Sequence, residues 1–63
     1  MKNKVSIELS DFQIGMQVRL NTNENNYIMS INAIIGTTIY CDFIDANGKN
    51  ERKGFHWKQL EII

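Results

Sequence analysis

The sequence predicts a small all-β domain, and two observations carry this prediction. Apolar and polar side chains alternate over residues 38–43, which is typical of a half-buried strand. The segment Asp45-Ala46-Asn47-Gly48 follows directly, with residue types that suit a type I turn closed by a glycine bulge. A two-residue Asn-Gly loop is the alternative, and either turn makes a hairpin. Turn signals spaced every 8–12 residues then indicate a small, strongly bent barrel of about five short strands.

Length and composition limit how such a domain is stabilised. A chain of 63 residues forms one domain, and folding at this size buries only about 60% of the surface that the unfolded chain exposes. The sequence contains one Cys and one His, which exclude an internal disulfide and a Cys/His zinc site. We therefore expect no cofactor and no metal, and a core that is hydrophobic or extended by a partner chain.

The charge balance restricts the classes of partner. Seven basic and seven acidic side chains cancel, so strong nonspecific attraction to nucleic acid or to an anionic membrane is not expected. The sequence contains no apolar run of about 20 residues and no secretory-type segment. We expect a cytoplasmic protein with no membrane partner.

Residues 1–10 are predicted to form an N-terminal extension or an extra strand, and the barrel is assigned to residues 11–63. In the first ten residues Val5, Ile7 and Leu9 alternate with polar side chains, as in a half-buried strand. A terminal segment is often loosely ordered unless another strand pairs with it, so both interpretations stay open.

The barrel strands are predicted over residues 16–20, 27–34, 38–44, 49–55 and 60–63. In the second strand Ile34 is assigned to the outer face, and in the third Tyr40 and Asp42 face outward. Gly54 interrupts the fourth strand and indicates a bulge or bend. A short 3₁₀ turn is expected over residues 56–59, before the last strand. The predicted core consists of Phe12, Val18, Leu20, Met29, Ile31, Ile39, Cys41, Phe43, Phe55 and Leu60.

Several segments of the chain resemble one family of small bacterial proteins. They are Phe12-Gln13-Ile14-Gly15 with Val18 and Leu20, then Met29-Ser30-Ile31, then Tyr40-Cys41-Asp42-Phe43-Ile44-Asp45 with Gly48-Lys49, and finally Phe55 and Leu60. This pattern resembles the YodC family over roughly residues 12–63. The resemblance implies an SH3-like or KOW-like barrel and implies no activity. The chain departs from the family in its Asn-rich loop at residues 21–26 and in the added N-terminal extension.

Cys41 and His56 are the candidates for catalysis. A cysteine nucleophile needs a nearby base, and His56 is the only imidazole in the chain. Cys41, however, shares a strand face with Ile39 and Phe43, where a thiol usually acts as a small inert hydrophobe. Asp42 and Asp45 point to opposite faces, and Asp45 is expected to cap the turn. We therefore expect a structural Cys41, a protein that is not an enzyme, and no small-molecule substrate.

The segment from Lys49 to Lys58 combines basic and aromatic side chains. The candidate binding residues are Tyr40, Arg52, Lys53, His56, Trp57 and Lys58. Such a mixture can contact phosphates and stack on a base. The alternative is a solvated hairpin edge whose Lys residues discourage aggregation, with Trp57 covering the end of the barrel. The sequence predicts a non-enzymatic binding module, with a protein partner or self-association through an edge strand, or alternatively single-stranded RNA or DNA as partner.

Overall fold

The predicted all-β fold class is confirmed by the computed structural model, which describes residues 7–21 and 27–63. Five antiparallel strands form one sheet in the order β4-β3-β2-β1-β5, an arrangement consistent with a small barrel-like fold. The strands are β1 (Gln17–Leu20), β2 (Met29–Ile35), β3 (Thr38–Ile44), β4 (Asn50–His56) and β5 (Leu60–Ile62). The expected 3₁₀ turn, Trp57–Gln59, directly precedes β5.

The N-terminal end of the described chain is a short turn. Leu9–Asp11 form a 3₁₀ turn, in which the Asp11 N–H donates to the Glu8 carbonyl oxygen at 2.9 Å. The Glu8 N–H donates in turn to Asp11 Oδ2 at 2.9 Å. Leu9 is therefore part of a turn rather than a strand. The extension or strand predicted over residues 1–10 otherwise falls largely on residues 1–6, which lie outside the described residues.

The hairpin turn between β3 and β4 takes the first of the two predicted forms. The Gly48 N–H donates to the Asp45 carbonyl oxygen at 3.0 Å, and Gly48 adopts a φ of 80°. Ala46 and Asn47 keep negative φ values, so a type I turn with a glycine bulge is present instead of the Asn-Gly loop. Asp45 caps this turn as expected, because its Oδ1 accepts from the N–H groups of Asn47 at 2.8 Å and Lys49 at 3.0 Å.

The core lies on the inner face of the sheet. Most of the predicted core residues are buried: Phe12, Val18, Met29, Ile31, Ile39, Cys41 and Leu60. The other three, Leu20, Phe43 and Phe55, are half-buried and pack against this cluster. They lie where the core opens to solvent, because a domain this small has too little chain to cover every apolar side chain.

A β-bulge in β2 overturns one assignment of face. Ile31 pairs with Cys41 and Ala33 pairs with Tyr40, so Asn32 is an extra residue in the ladder. Beyond the bulge the alternation of faces is inverted. Ile34 consequently pairs with Ile39 and packs on the core, whereas simple alternation predicted it on the outer face.

Gly54 does not form the predicted bulge. The β3–β4 register is continuous through the Tyr40–Gly54 pair. The glycine instead leaves space for its neighbour, because a Cβ atom at this position would lie 2.9 Å from Tyr40 Cε1 and 3.0 Å from Thr38 Cγ2. The Tyr40 ring thus packs over the backbone of β4 on the outer face.

A matched pair of isoleucines tests where the core lies. Ile39 is 0% exposed and Ile44, on the same strand, is 61% exposed. Ile39→Ala should lower the free energy of unfolding by roughly 2–5 kcal/mol, whereas Ile44→Ala should change it by less than about 0.5 kcal/mol. Urea denaturation followed by circular dichroism measures both values.

Ile39→Val keeps this test measurable if Ile39→Ala does not fold. Its expected loss is roughly 0.5–1.5 kcal/mol, because one methylene is removed from a packed site. Equal losses for the alanine variants at residues 39 and 44 would contradict the assigned core.

Candidate binding site

The β3–β4 register separates the predicted binding residues onto two faces. Directly opposed residues of paired strands share a face of the sheet. The pairs Asp42–Arg52 and Tyr40–Gly54 lie on the outer face, while Lys53 pairs with the buried Cys41 on the inner face. Arg52 and Lys53 are therefore neighbours in sequence that point in opposite directions.

On the outer face the charge of Arg52 is balanced by an acidic neighbour. Arg52 donates from Nε to Asp42 Oδ1 at 2.6 Å and from Nη2 to Asp42 Oδ2 at 3.2 Å. This hydrogen-bonded guanidinium holds the pKa of Asp42 below its ordinary value, and the carboxylate raises the pKa of Arg52. Such a two-pronged ion pair uses the planar fork of the guanidinium, so two of the donors that a phosphate would need are already engaged.

Trp57 packs against the core at the second 3₁₀ turn. Its ring meets Phe12 edge-on with a centroid distance of 6.3 Å, and the His56 ring stacks on it at 6.1 Å. Lys58 Nζ lies 5.7 Å from the Trp57 ring centroid, which is within cation–π distance. His56 Nδ1 accepts from the Lys58 N–H at 3.1 Å. These contacts give the three side chains a common packing role at the second 3₁₀ turn.

The inner face carries a groove that sequence reasoning missed. Its volume is about 350 Å³, which is within the range of ligand-binding clefts. The Tyr27 and Phe43 rings stack in its wall with a centroid distance of 5.1 Å and an interplanar angle of 27°. Of the six predicted binding residues, only Lys53 lines it. The lining residues are Leu20, Tyr27, Met29, Phe43, Asp45, Glu51, Lys53 and Phe55.

The groove has an apolar floor and a charged rim. The Asp45 carboxylate accepts hydrogen bonds from backbone N–H groups, which lower the pKa of Asp45. The N–H of Lys49 has the larger effect and that of Asn47 the smaller. Asp45 is therefore negatively charged at neutral pH. Glu51, opposite Phe43, and Lys53, opposite Cys41, complete the rim along β4. The residues of the hairpin turn predict the register of β3 against β4. From that register, the common face of Phe43, Glu51 and Lys53 could have been derived from the sequence.

The structure places Cys41 and His56 on opposite faces of the sheet. The Cys41 side chain is 0% exposed and lies on the inner face, while His56 pairs with Thr38 on the outer face. Burial, and secondarily the negative charge of Asp42, raises the pKa of Cys41 to about 11. The thiol is thus neutral at physiological pH and sheltered from reagents.

The structure and the comparisons with known proteins add three findings. Over residues 7–21 and 27–63, no three His, Cys, Asp or Glu side chains are grouped closely enough to hold a metal ion. Within the same part of the chain, no helix is long and apolar enough to cross a membrane. No protein-family model, curated protein or solved structure matches this chain.

Thiol chemistry tests the placement of Cys41. The folded protein should react slowly with a disulfide reagent at neutral pH, and the denatured protein should react quickly. Rapid modification of the native protein would contradict its burial.

The pH dependence of stability gives a second test of Cys41. Because folding raises the thiol pKa from 9.0 to about 11, the unfolded chain loses this proton at lower pH than the folded protein. The thiol's contribution to stability is complete below pH 9 and is lost progressively between pH 9 and 11. Urea denaturation should detect a loss over that interval that is absent in Cys41→Ala.

Proposed function

We propose that this protein is a non-enzymatic protein-binding module that holds an extended segment of a partner along β4 and over the inner groove. The observation that carries the proposal is the groove of about 350 Å³, whose wall contains the stacked Tyr27 and Phe43 rings. Aromatic side chains supply large contact areas at a low entropy cost, and they are enriched where proteins bind one another. Asp45, Glu51 and Lys53 at the rim supply polar contacts that orient a peptide.

The position of β4 supports an extended partner. β4 lies at one end of the strand order, with β3 as its sheet neighbour. An edge strand of seven residues (Asn50–His56) offers backbone donors and acceptors to an added strand. Because every second side chain of β4 lies on the inner face, a strand added there would direct its own alternate side chains toward the groove side.

The fold is proposed to be an SH3-like barrel. The order β4-β3-β2-β1-β5 and the 3₁₀ turn before β5 support that assignment, which is also what the resemblance to the YodC family implies. Small barrels of this kind serve as scaffolds for binding sites of many chemistries, so the function is argued from the groove.

Nucleic acid is the less supported partner. Its case depended on the basic and aromatic segment from Lys49 to Lys58 forming one patch, and three cations of that segment lie in different places. Arg52 is paired with Asp42 on the outer face, Lys53 lines the inner groove, and Lys58 lies on Trp57 at the barrel end. Phosphate binding by several separated cations of a chain with zero net charge is weak.

Peptide selection tests this function directly. A displayed library of random decapeptides is selected against the protein, and one selected peptide is titrated into isotope-labelled protein. Chemical shifts should change at the groove residues, Tyr27 and Phe43 among them. Tyr27→Ala should weaken binding at least about tenfold, because it removes one ring of the stacked pair.

Tyr40→Ala is the matched control, since it removes the same ring from the outer face and should leave peptide affinity unchanged. Equal effects of the two substitutions, or chemical-shift changes confined to the outer face, would overturn the proposal.

Titration with single-stranded oligonucleotides at about 50 and 200 mM salt tests nucleic acid as the partner. Tight binding that falls steeply with salt would assign the protein to nucleic acid instead.

A further inference from the structure

Among residues 7–21 and 27–63, no strand pairs with the edge of β4 opposite β3, and the backbone of β4 presents alternate residues to that edge. The Asp45 N–H donates to the Lys49 carbonyl oxygen at 2.9 Å, and the Trp57 N–H donates to the Thr37 carbonyl oxygen at 3.0 Å. Backbone groups in an antiparallel ladder alternate in direction, so odd-numbered residues between these two ends bond to β3. The even-numbered His56 follows this alternation, because its N–H donates to Gln59 Oε1 at 3.1 Å instead of to β3. The groups directed away from β3 are those of Asn50, Arg52 and Gly54.

The charges of β4 are complementary to a second copy of the same strand. Glu51 and Lys53 lie on the inner face, two residues apart. We propose that β4 pairs antiparallel with β4 of a second copy about a two-fold axis at Arg52. This inference rests on the proposed function, since it names the extended segment that the edge accepts. Glu51 of each copy then lies opposite Lys53 of the other.

The hydrogen-bond pattern fits this register. Arg52 would pair with Arg52 of the second copy, and Asn50 with its Gly54, so the outward-directed groups form about six backbone hydrogen bonds. Glu51 and Lys53 then occupy non-hydrogen-bonded pairs, where opposed Cα atoms approach to about 4.5 Å and side chains are closest. Both charge pairs therefore form in the geometry that favours side-chain contact.

Neighbouring registers place like charges together. An axis at Lys53 sets two Lys53 side chains opposite each other, and an axis at Glu51 does the same for two carboxylates, both of which destabilise strand pairing. In the proposed register the two Arg52 side chains meet on the outer face. Each is held by its own Asp42, with Nε 2.6 Å from Oδ1, so the repulsion is offset. The dimer would join two sheets into one and place two grooves on a common face.

Charge variants test the pairing by sedimentation velocity. A pair of seven-residue strands makes a small interface, so protein concentrations up to about 1 mM are needed. Wild-type protein should dimerise. K53E sets Glu51 opposite a glutamate and E51K sets a lysine opposite Lys53, so each should raise the dimer dissociation constant on the order of tenfold. K58E makes the same change of charge at the barrel end and should leave it unaltered.

Mixing the K53E and E51K variants is the decisive experiment. In a dimer of K53E with E51K, both inner-face pairs become attractive again, so the equimolar mixture should form a heterodimer at concentrations where each variant alone is monomeric. This outcome cannot arise from misfolding, because it requires both strands to be intact. A mixture that stays monomeric would overturn the proposal.

Hydrogen exchange locates the interface. The N–H groups of Asn50, Arg52 and Gly54 should exchange rapidly in dilute protein and slowly at dimer-forming concentration, while those of Glu51, Lys53 and Phe55 are protected in both. A wild-type monomer at 1 mM, or protection that does not depend on concentration at residues 50, 52 and 54, would overturn the dimer. Selection of a groove-binding peptide against such a monomer would leave the proposed function standing, so the two failures are distinguishable.

Discussion

The type I turn at Asp45–Gly48 determines the register on which the rest of this domain depends. A one-residue change in the pairing of β3 and β4 would move every side chain of β4 to the opposite face. Asp45 prevents this by accepting from two backbone N–H groups of the turn, and Gly48 adopts the positive φ that closes it. The ion pair of Asp42 with Arg52 and the placement of Lys53 beside the groove both follow from this one geometry.

The groove is a consequence of small size. The fully buried cluster is centred on Val18, Ile39 and Cys41, and the chain is too short to cover the aromatic side chains at its margin. Phe43 and Phe55 are left half-buried, which costs the folded state some hydrophobic stabilisation. The same uncovered surface is the apolar site proposed for a partner, so the limit on stability and the proposed capacity to bind have one cause.

β4 belongs both to the proposed groove site and to the proposed dimer edge. The inner-face side chains of β4 line the groove. The backbone groups of β4 that point away from β3 form the edge proposed to pair. Edge strands are usually protected by charged side chains against unwanted pairing. In this chain the charges are of both signs on one face, Glu51 beside Lys53, so they discourage most registers and favour one. Such a pattern makes strand pairing selective instead of merely blocking it.

The sequence by itself determined the all-β class, the hairpin, the 3₁₀ turn before β5 and most of the core, because alternation and turn chemistry are local properties. Only the tertiary structure decided the bulge at Asn32, the contact of Gly54 with Tyr40 and the separation of Arg52 from Lys53. The groove was missed because its walls come from β1, β2, β3, β4, Tyr27 and the hairpin turn, which are distant in sequence. A bulge inverts faces without a distinctive residue pattern, and a cleft depends on how strands bend around a core, so neither can be derived from local periodicity.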